Sequence, residues 1–210
     1  DLPDPTLEPG SGRRFGDFLE WGAPFRDLLD HDRILPVLAE LLGDGFRLDH
    51  YYGIYLRDGA DPLGLHGGGE PYDPDEFYHH QNGEMFNGLT VVTWNLRDTG
   101  PDSGGFCCIP GSHKANYSTP EWISEAVAEA SSPADLPPEV VVPEAPAGSV
   151  SVFTEALTHG TAPWVADHQR RSLLYKYSPG YQSWSQNYPE PPDGVEFTPR
   201  QEKLFEPPHV

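Results

Sequence analysis

Hydrophobic residues follow a helical period in one early stretch of the chain and a strand-like period directly after it. Between residues 34 and 42 apolar side chains recur every three to four positions, which predicts an amphipathic helix. Asp30 or Asp32 can cap its start, and Gly43 fits its end. From residue 46 to 56 the pattern changes to a run rich in aromatic and β-branched residues, which predicts a strand.

Further short strands and one more helix complete the predicted elements. A helix is expected to begin after Thr119 as N-cap and to reach about Ala130, because Pro120 suits a first helical position. Apolar runs bounded by turn residues predict strands at 88–96, 105–109, 149–154 and 171–177. Many short strands with few helices indicate a mainly β protein, an antiparallel sandwich or barrel.

Three stretches lack a strong periodic pattern. Residues 1–24 are rich in proline, glycine and charge, and we expect an irregular N-terminal segment. Residues 57–87 form a long polar and glycine-rich segment, and a loop of that length in a compact domain usually carries function. The part after residue 178 is aromatic and proline-rich. The length of 210 residues suits a single domain, 1–210, and the absence of an initial methionine leaves open whether a segment precedes Asp1.

Charge and cysteine content narrow the functional classes. The formal net charge of −20 disfavours nucleic-acid polymers as partners, since such a surface repels phosphates, but a small-molecule substrate remains compatible with it. No run of about 18 apolar residues exists, so we expect no membrane association through a spanning helix. Cys107 and Cys108 are neighbours and too close for an ordinary disulfide, which favours a cytoplasmic location.

One histidine and one arginine indicate a specific chemistry. The apolar run 149–154 leads into His159, and Arg170 follows eleven residues later at the start of the next strand. That order places a metal ligand beside a fixed cation, and a planar guanidinium binds a carboxylate through two parallel hydrogen bonds. Ser172 lies two residues further on the same strand face and can add a hydroxyl donor. The pattern predicts iron that binds a 2-oxo acid.

Two sequence phrases carry a family resemblance. Residues 103–114 read Ser-Gly-Gly-Phe-Cys-Cys-Ile-Pro-Gly-Ser-His-Lys, and His159-Gly160 is followed by Arg170. Over roughly residues 46–180 the chain resembles the phytanoyl-CoA dioxygenase family of iron(II)- and 2-oxoglutarate-dependent oxygenases. The resemblance implies a double-stranded β-helix, a jelly-roll or cupin-like barrel. It also implies iron(II), 2-oxoglutarate and O2 as cofactors. His159 would bind iron and Arg170 the far carboxylate of 2-oxoglutarate, with Trp94 and Thr161 lining the co-substrate site.

The chain departs from the family at the first iron ligands. The family normally has His-x-Asp, whereas the best match here is His66-Gly67-Gly68, with glycine at the acidic position. Iron/2-oxoglutarate halogenases resemble this pattern, with glycine or alanine at that position, because the vacancy admits chloride to the iron. We therefore predict that His66 and His159 are the ligands, and that Gly68 provides a halide site in a C–H halogenase.

Several alternatives remain open. The glycines can form a tight turn while Glu70, Asp73 or Asp75 supplies the carboxylate, which would make the protein a hydroxylase. His80-Gln81-Asn82 is spaced like the ligand motif but ends in an amide. A third reading is a non-catalytic metal-binding cupin, although such a barrel would not need Arg170.

The substrate is the least constrained prediction. Loops on a rigid barrel usually carry specificity, and both long loops contain aromatic or imidazole side chains. The predicted pocket residues are Tyr72, Phe77, His79 and Trp184. They suit a small polar molecule with a flat part, and a nucleoside or nucleotide is our expectation.

Overall fold

The chain folds into two antiparallel sheets and a separate hairpin. The computed structural model describes residues 8–68, 72–115 and 117–209. The strands are β1 (Gly12–Phe15), β2 (Arg47–Leu56), β3 (Leu63–His66), β4 (Tyr78–Gln81), β5 (Glu84–Asn87), β6 (Thr90–Asn95), β7 (Gly105–Cys108), β8 (Val150–Thr154), β9 (His159–Ala162) and β10 (Arg170–Ser178). The larger sheet has the order β1-β2-β10-β6-β8, the smaller has β3-β9-β7, and β4 pairs with β5. The prediction of a mainly β fold is confirmed.

Short helices flank the sheets. They are α1 (Ala23–Arg26), α2 (Leu35–Leu42), α3 (Glu121–Glu129) and α4 (Pro199–Leu204). Gly43 follows α2 with φ +83°, as expected for its C-terminal glycine. The expected cap by Asp30 or Asp32 is wrong, because Ile34 precedes the helix and both carboxylates instead bind Arg200 of α4. Pro120, rather than Thr119, occupies the N-cap position of α3.

The two faces of β10 have different tasks. Leu173, Tyr175 and Tyr177 are buried on one face, in the main core that α2 and α4 cover. The two tyrosine hydroxyls are satisfied there, since they donate to the backbone carbonyls of Phe25 at 2.6 Å and Leu29 at 2.8 Å. Residues of opposite parity, including Arg170 and Lys176, line a cavity on the other face. The period of two therefore separates a stabilising face from a polar one.

The segment 57–87, expected to be a loop, contains three short strands. β3 pairs with β9, a partner about 95 positions away in the chain, so no local pattern signals it. β4 and β5 form a hairpin around Asn82-Gly83, both with positive φ. An Asn-Gly pair is a strong hairpin signal, so this element was visible in the sequence.

Two further regions gain structure beyond the prediction. The N-terminal segment contributes β1 to the edge of the larger sheet, and the C-terminal part contains α4. Thr198 and Gln201 form a reciprocal capping box at the start of α4, a signal that the sequence also contains. Within the described ranges, no helix combines the length and apolar character that crossing a bilayer requires.

Candidate metal and co-substrate site

A cavity of about 380 Å³ lies between the two sheets. Strands β2, β6 and β10 contribute lining residues from the larger sheet, and β3, β7 and β9 contribute them from the smaller one. His66 ends β3 directly opposite His159, the first residue of β9. Their ring centroids are 4.2 Å apart. The antiparallel pairing thus brings together the two histidines that the sequence predicted as metal ligands.

A carboxylate that the sequence reasoning missed completes this cluster. Glu155 follows β8 directly, and its Oε2 lies 3.6 Å from Nε2 of His159. One ligand atom from each of His66, Glu155 and His159 lies within 4.8 Å of the others. The chain offers a signal in retrospect, since Glu155 is an acidic residue at the end of an apolar strand, four positions before the histidine.

The carboxylates expected from the sequence are not part of this cluster. Asp73 accepts a hydrogen bond from the backbone of Asp75, and the ligand cluster includes neither residue. Glu70 lies outside the described residues. His80, the alternative ligand, is exposed on β4, away from the cavity.

Both histidines are oriented for metal binding. Nδ1 of His66 bonds the carbonyl of Gly64 at 3.0 Å, and Nδ1 of His159 bonds that of Leu157 at 2.7 Å. A neutral imidazole that donates from Nδ1 leaves the Nε2 lone pair free. Burial lowers the pKa of His159 to about 4, although Glu155 opposes this, so the ring is neutral at physiological pH. Two imidazole nitrogens and one carboxylate are the donor set of non-haem iron(II) oxygenases, so these residues fit the ion.

The glycines after His66 have a structural reason of their own. Gly67 has φ +74°, and a Cβ there would lie 2.3 Å from the carbonyl oxygen of Glu155. Gly68 has φ +89°, and its Cβ would lie 2.8 Å from Oγ1 of Thr158. The backbone therefore requires glycine at both positions, whatever binds the metal. A halide site at Gly68 stays a prediction.

Arg170 lies at another part of the cavity wall, as a buried cation that forms no ion pair with any acidic residue in the described part of the chain. Its Nη1 donates a long 3.4 Å hydrogen bond to Oγ1 of Thr161, and its Nε has no partner among the described residues. Burial lowers its pKa to about 10, which Cys107 and Tyr52 offset only in part. An arginine stays charged at that value, so the orphaned donor fits the far carboxylate of 2-oxoglutarate.

The remaining predicted co-substrate residues differ in placement. Thr161 lines the cavity. Ser172 has the same parity on β10 as Arg170, but it is buried and its hydroxyl lies 3.4 Å from Oδ1 of Asn95. The prediction that Trp94 lines the co-substrate site is wrong. Its indole packs against the main core, with its ring centroid 5.1 Å from that of His31. The neighbouring Thr93 lines the cavity instead, as the alternation of a strand requires.

Of the four predicted substrate-pocket residues, only Trp184 lines the cavity. Tyr72 is 65% exposed, and Phe77 stacks on His79 outside the lining, with ring centroids 5.0 Å apart. His50, which the sequence did not select, stacks against Trp184 at 5.2 Å and also lines the cavity.

A β-bulge lies beside His50 in the pairing of β2 with β10. Lys176 of β10 pairs with His50 of β2, but the next residue, Tyr177, pairs with Leu48, which leaves Asp49 as an extra residue. Such a bulge changes the direction of the side chains around it. The effect here is that two sequence neighbours, Asp49 and His50, are directly hydrogen-bonded.

The fully buried carboxylate of Asp49 anchors the C-terminal segment to the sheet. It accepts hydrogen bonds from Nδ1 of His50 at 2.7 Å and from the hydroxyl of Ser178 at 2.9 Å. It also accepts hydrogen bonds from the backbone N–H groups of Trp184 at 2.8 Å and Ser185 at 3.2 Å. Burial alone would raise the pKa of Asp49, but these donors hold it below its ordinary value. One ionised group therefore positions both aromatic rings of this wall.

Comparison with solved structures places the fold among iron- and 2-oxoglutarate-binding proteins. The chain is similar to HygX from Streptomyces hygroscopicus with nickel and 2-oxoglutarate bound, at 25% identity and a TM-score of 0.71, covering 86% of this chain and 74% of HygX. HygX with nickel, 2-oxoglutarate and hygromycin B bound gives 26% identity, a TM-score of 0.69 and coverages of 84% and 74%. HygX has also been solved with iron bound.

A more distant structure supports the fold alone. The non-heme alpha-ketoglutarate-dependent epimerase SnoN from nogalamycin biosynthesis is 17% identical, with a TM-score of 0.54 and coverages of 90% and 75%. Together with HygX it bears out the predicted cupin-like, double-stranded β-helix type of fold. No curated protein sequence gives a significant match.

The family model for phytanoyl-CoA dioxygenase matches residues 65–172, which is more than half of the chain. The matched stretch begins beside His66 and ends beside Arg170, so it spans the histidine–glutamate cluster and the buried cation. The chain therefore belongs to the phytanoyl-CoA dioxygenase (PhyH) family and is an enzyme of the iron- and 2-oxoglutarate-dependent oxygenase type.

Proposed function

We propose that this protein oxidises an aliphatic C–H bond of a small polar molecule, with His66, Glu155 and His159 holding iron(II). The observation that carries the proposal is the His66–Glu155–His159 cluster. In this cluster Glu155 supplies the carboxylate that is missing from His66-Gly67-Gly68, the counterpart of the family's His-x-Asp motif. With a carboxylate present, oxygen insertion is the outcome that the ligand set favours.

The residues around the cluster divide the remaining tasks. Arg170 binds the far carboxylate of 2-oxoglutarate, and Thr161 supports its guanidinium. Phe153 packs edge-on against His159 at 4.8 Å, so it excludes water from one side of the ligand. Iron with 2-oxoglutarate and O2 supplies the oxidant for an unactivated C–H bond. The protein contributes position and exclusion of water.

The wall formed by His50, Tyr52 and Trp184 supports a substrate that has a ring. His50 stacks with Trp184, and it also lies parallel to Tyr52 at 6.0 Å. Because Nδ1 of His50 donates a hydrogen bond to Asp49, its Nε2 can accept one from a substrate hydroxyl or amine. A nucleoside or nucleotide stays a prediction. Hygromycin B, which is bound in HygX, belongs in the same substrate screen.

Halogenation is the second candidate, and one observation favours it. Glu155 is ion-paired with Lys176, so its carboxylate already has a cation. If it stayed there when iron binds, chloride could take the third protein position. Chloride would then replace the carboxylate as the sequence pattern predicted.

Products and metal binding together test the proposal. The protein with iron(II), 2-oxoglutarate, O2 and chloride is incubated with the substrate panel, and products are identified by mass spectrometry. A gain of one oxygen or oxidation without chlorine supports oxygenation, whereas a chlorinated product supports the second candidate. Glu155→Gln is expected to weaken iron(II) binding strongly.

Glu76→Gln is the matched control, since Glu76 also lines the cavity but is outside the cluster. It is expected to retain iron(II) binding. Wild-type iron(II) affinity in Glu155→Gln would contradict the proposed ligand set.

A further inference from the structure

The ion pair between Lys176 and Glu155 lies inside the cavity and is largely closed to water. Lys176 is on β10 and Glu155 follows β8, so the lysine side chain reaches across the intervening strand β6. Only 11% of the lysine side chain and 3% of the glutamate side chain are exposed. The ammonium and the carboxylate thus form a direct ion pair within the lining of the cavity.

The pair uses one specific oxygen of the carboxylate. The ammonium of Lys176 binds Oε1, whereas Oε2 is the oxygen that faces Nε2 of His159 at 3.6 Å. Only Oε2 is therefore directed to the metal cluster. A carboxylate without such a partner can bind a metal through both of its oxygens.

The number of free metal positions depends on this difference. Two histidines and one carboxylate oxygen occupy three positions of a six-coordinate iron, which leaves three open. A 2-oxo acid that binds through its keto-acid end uses two of these, and O2 needs one. A second oxygen from Glu155 would occupy a position that the co-substrate requires.

We propose that Lys176 is a positioning residue that keeps Glu155 a one-oxygen ligand and so reserves a metal position for 2-oxoglutarate. The inference rests on the proposed function, because it takes Glu155 as the third iron ligand. Lys176 acts on the co-substrate through Glu155. It is expected to influence 2-oxoglutarate binding more than iron(II) binding.

Anaerobic titrations separate the two bindings. The protein is loaded with iron(II) and titrated with 2-oxoglutarate, and complex formation is followed by its visible charge-transfer band. Iron(II) affinity is measured in a separate titration without 2-oxoglutarate. Lys176→Met is expected to weaken 2-oxoglutarate binding at least tenfold or to abolish the band, with a smaller change in iron(II) affinity.

Two further variants identify the cause. Lys176→Arg keeps a cation that can bind Oε1, and we expect it to restore most of the band. Lys203→Met is the control for loss of a lysine charge, because Lys203 is exposed on α4 and outside the cavity. Its titrations should match those of the wild type. Circular dichroism checks that each variant is folded.

The outcomes distinguish the inference from the proposed function. If Lys176→Met binds 2-oxoglutarate like the wild type, or Lys176→Arg is as impaired as Lys176→Met, the positioning role is wrong. If Glu155→Gln binds iron(II) normally, the ligand set itself is wrong. Should Lys176→Met fail to fold, Lys176→Leu also removes the donor to Oε1, and wild-type 2-oxoglutarate affinity in that variant would equally overturn the inference.

Discussion

Replacing Arg170 with methionine is expected to stabilise the metal-free protein and to weaken its binding of 2-oxoglutarate. The arginine is buried, and among the residues that the structure describes none bonds its Nε and no carboxylate forms an ion pair with it. Removing a buried charge that the protein does not compensate relieves a cost, whereas a bound dicarboxylate depends on that same charge. Stability and affinity should therefore move in opposite directions.

The structure sets the size of both effects. The fall in the pKa of Arg170 to about 10 corresponds to about 3 kcal/mol of disfavoured charge. The substitution also removes the long hydrogen bond to Thr161, which lowers the stability by about 1 kcal/mol. A net gain of about 1–2 kcal/mol would raise the Tm by about 2–8 °C at this chain length. Removing one partner of a buried charge pair costs about 2–5 kcal/mol, so 2-oxoglutarate affinity should fall at least about 30-fold.

Thermal unfolding and calorimetric titration measure the two effects on the same samples. Unfolding is recorded for the metal-free protein, and 2-oxoglutarate is titrated into the nickel-loaded protein. Arg171→Met serves as control, because Arg171 is on the opposite face of β10, where its guanidinium lies 5.7 Å from the ring of Tyr55. It should leave 2-oxoglutarate affinity unchanged. Wild-type affinity in Arg170→Met, or a marked loss of stability, would refute the reasoning.

Three other outcomes follow from positions described above. Gly67→Ala should cost at least about 2 kcal/mol in urea unfolding, because a Cβ would meet a carbonyl oxygen at 2.3 Å with φ +74°, whereas Gly64→Ala, with open space around it, should change little. Asp49→Asn should cost at least about 2 kcal/mol and speed proteolysis near Trp184, and unchanged cleavage would argue against the anchor. In the metal-free protein the pKa of His159 is lower in the folded than in the unfolded state, so the unfolded state binds a proton at a higher pH than the folded state does. The free energy of unfolding should therefore fall as pH drops from about 6.5 to 4. His159→Gln should flatten that part of the urea-midpoint profile.

The parts of the site that are local in sequence were predictable. His159 and Arg170 lie at the starts of two strands that belong to different sheets; their spacing and the apolar runs around them predicted both, and both line the cavity. The prediction of His66 depended on a family pattern, and the structure places it beside His159.

The parts that depend on strand direction or distant pairing were not predictable in the same way. Glu155 becomes a candidate ligand only when the end of β8 meets the β3–β9 pair, and its position four residues before His159 gains meaning only from that pairing. Trp94 was assigned to the correct strand but to the wrong face, and a one-residue difference in alignment reverses the direction of a side chain. The glycine at position 68 suggested a missing ligand, whereas its positive φ gives it a backbone role.

Asp49, the extra residue of the β-bulge, links the paired strands of the larger sheet to the loop that carries Trp184. His66, His159 and Arg170 lie on paired strands, whereas Trp184 reaches the cavity from the loop after β10, whose backbone at Trp184 and Ser185 donates to the carboxylate of Asp49. We expect substitutions in that loop to alter which molecule is accepted without disturbing those strands. Directed evolution for new substrates would therefore best begin with the residues around Trp184, which precede the core-covering helix α4.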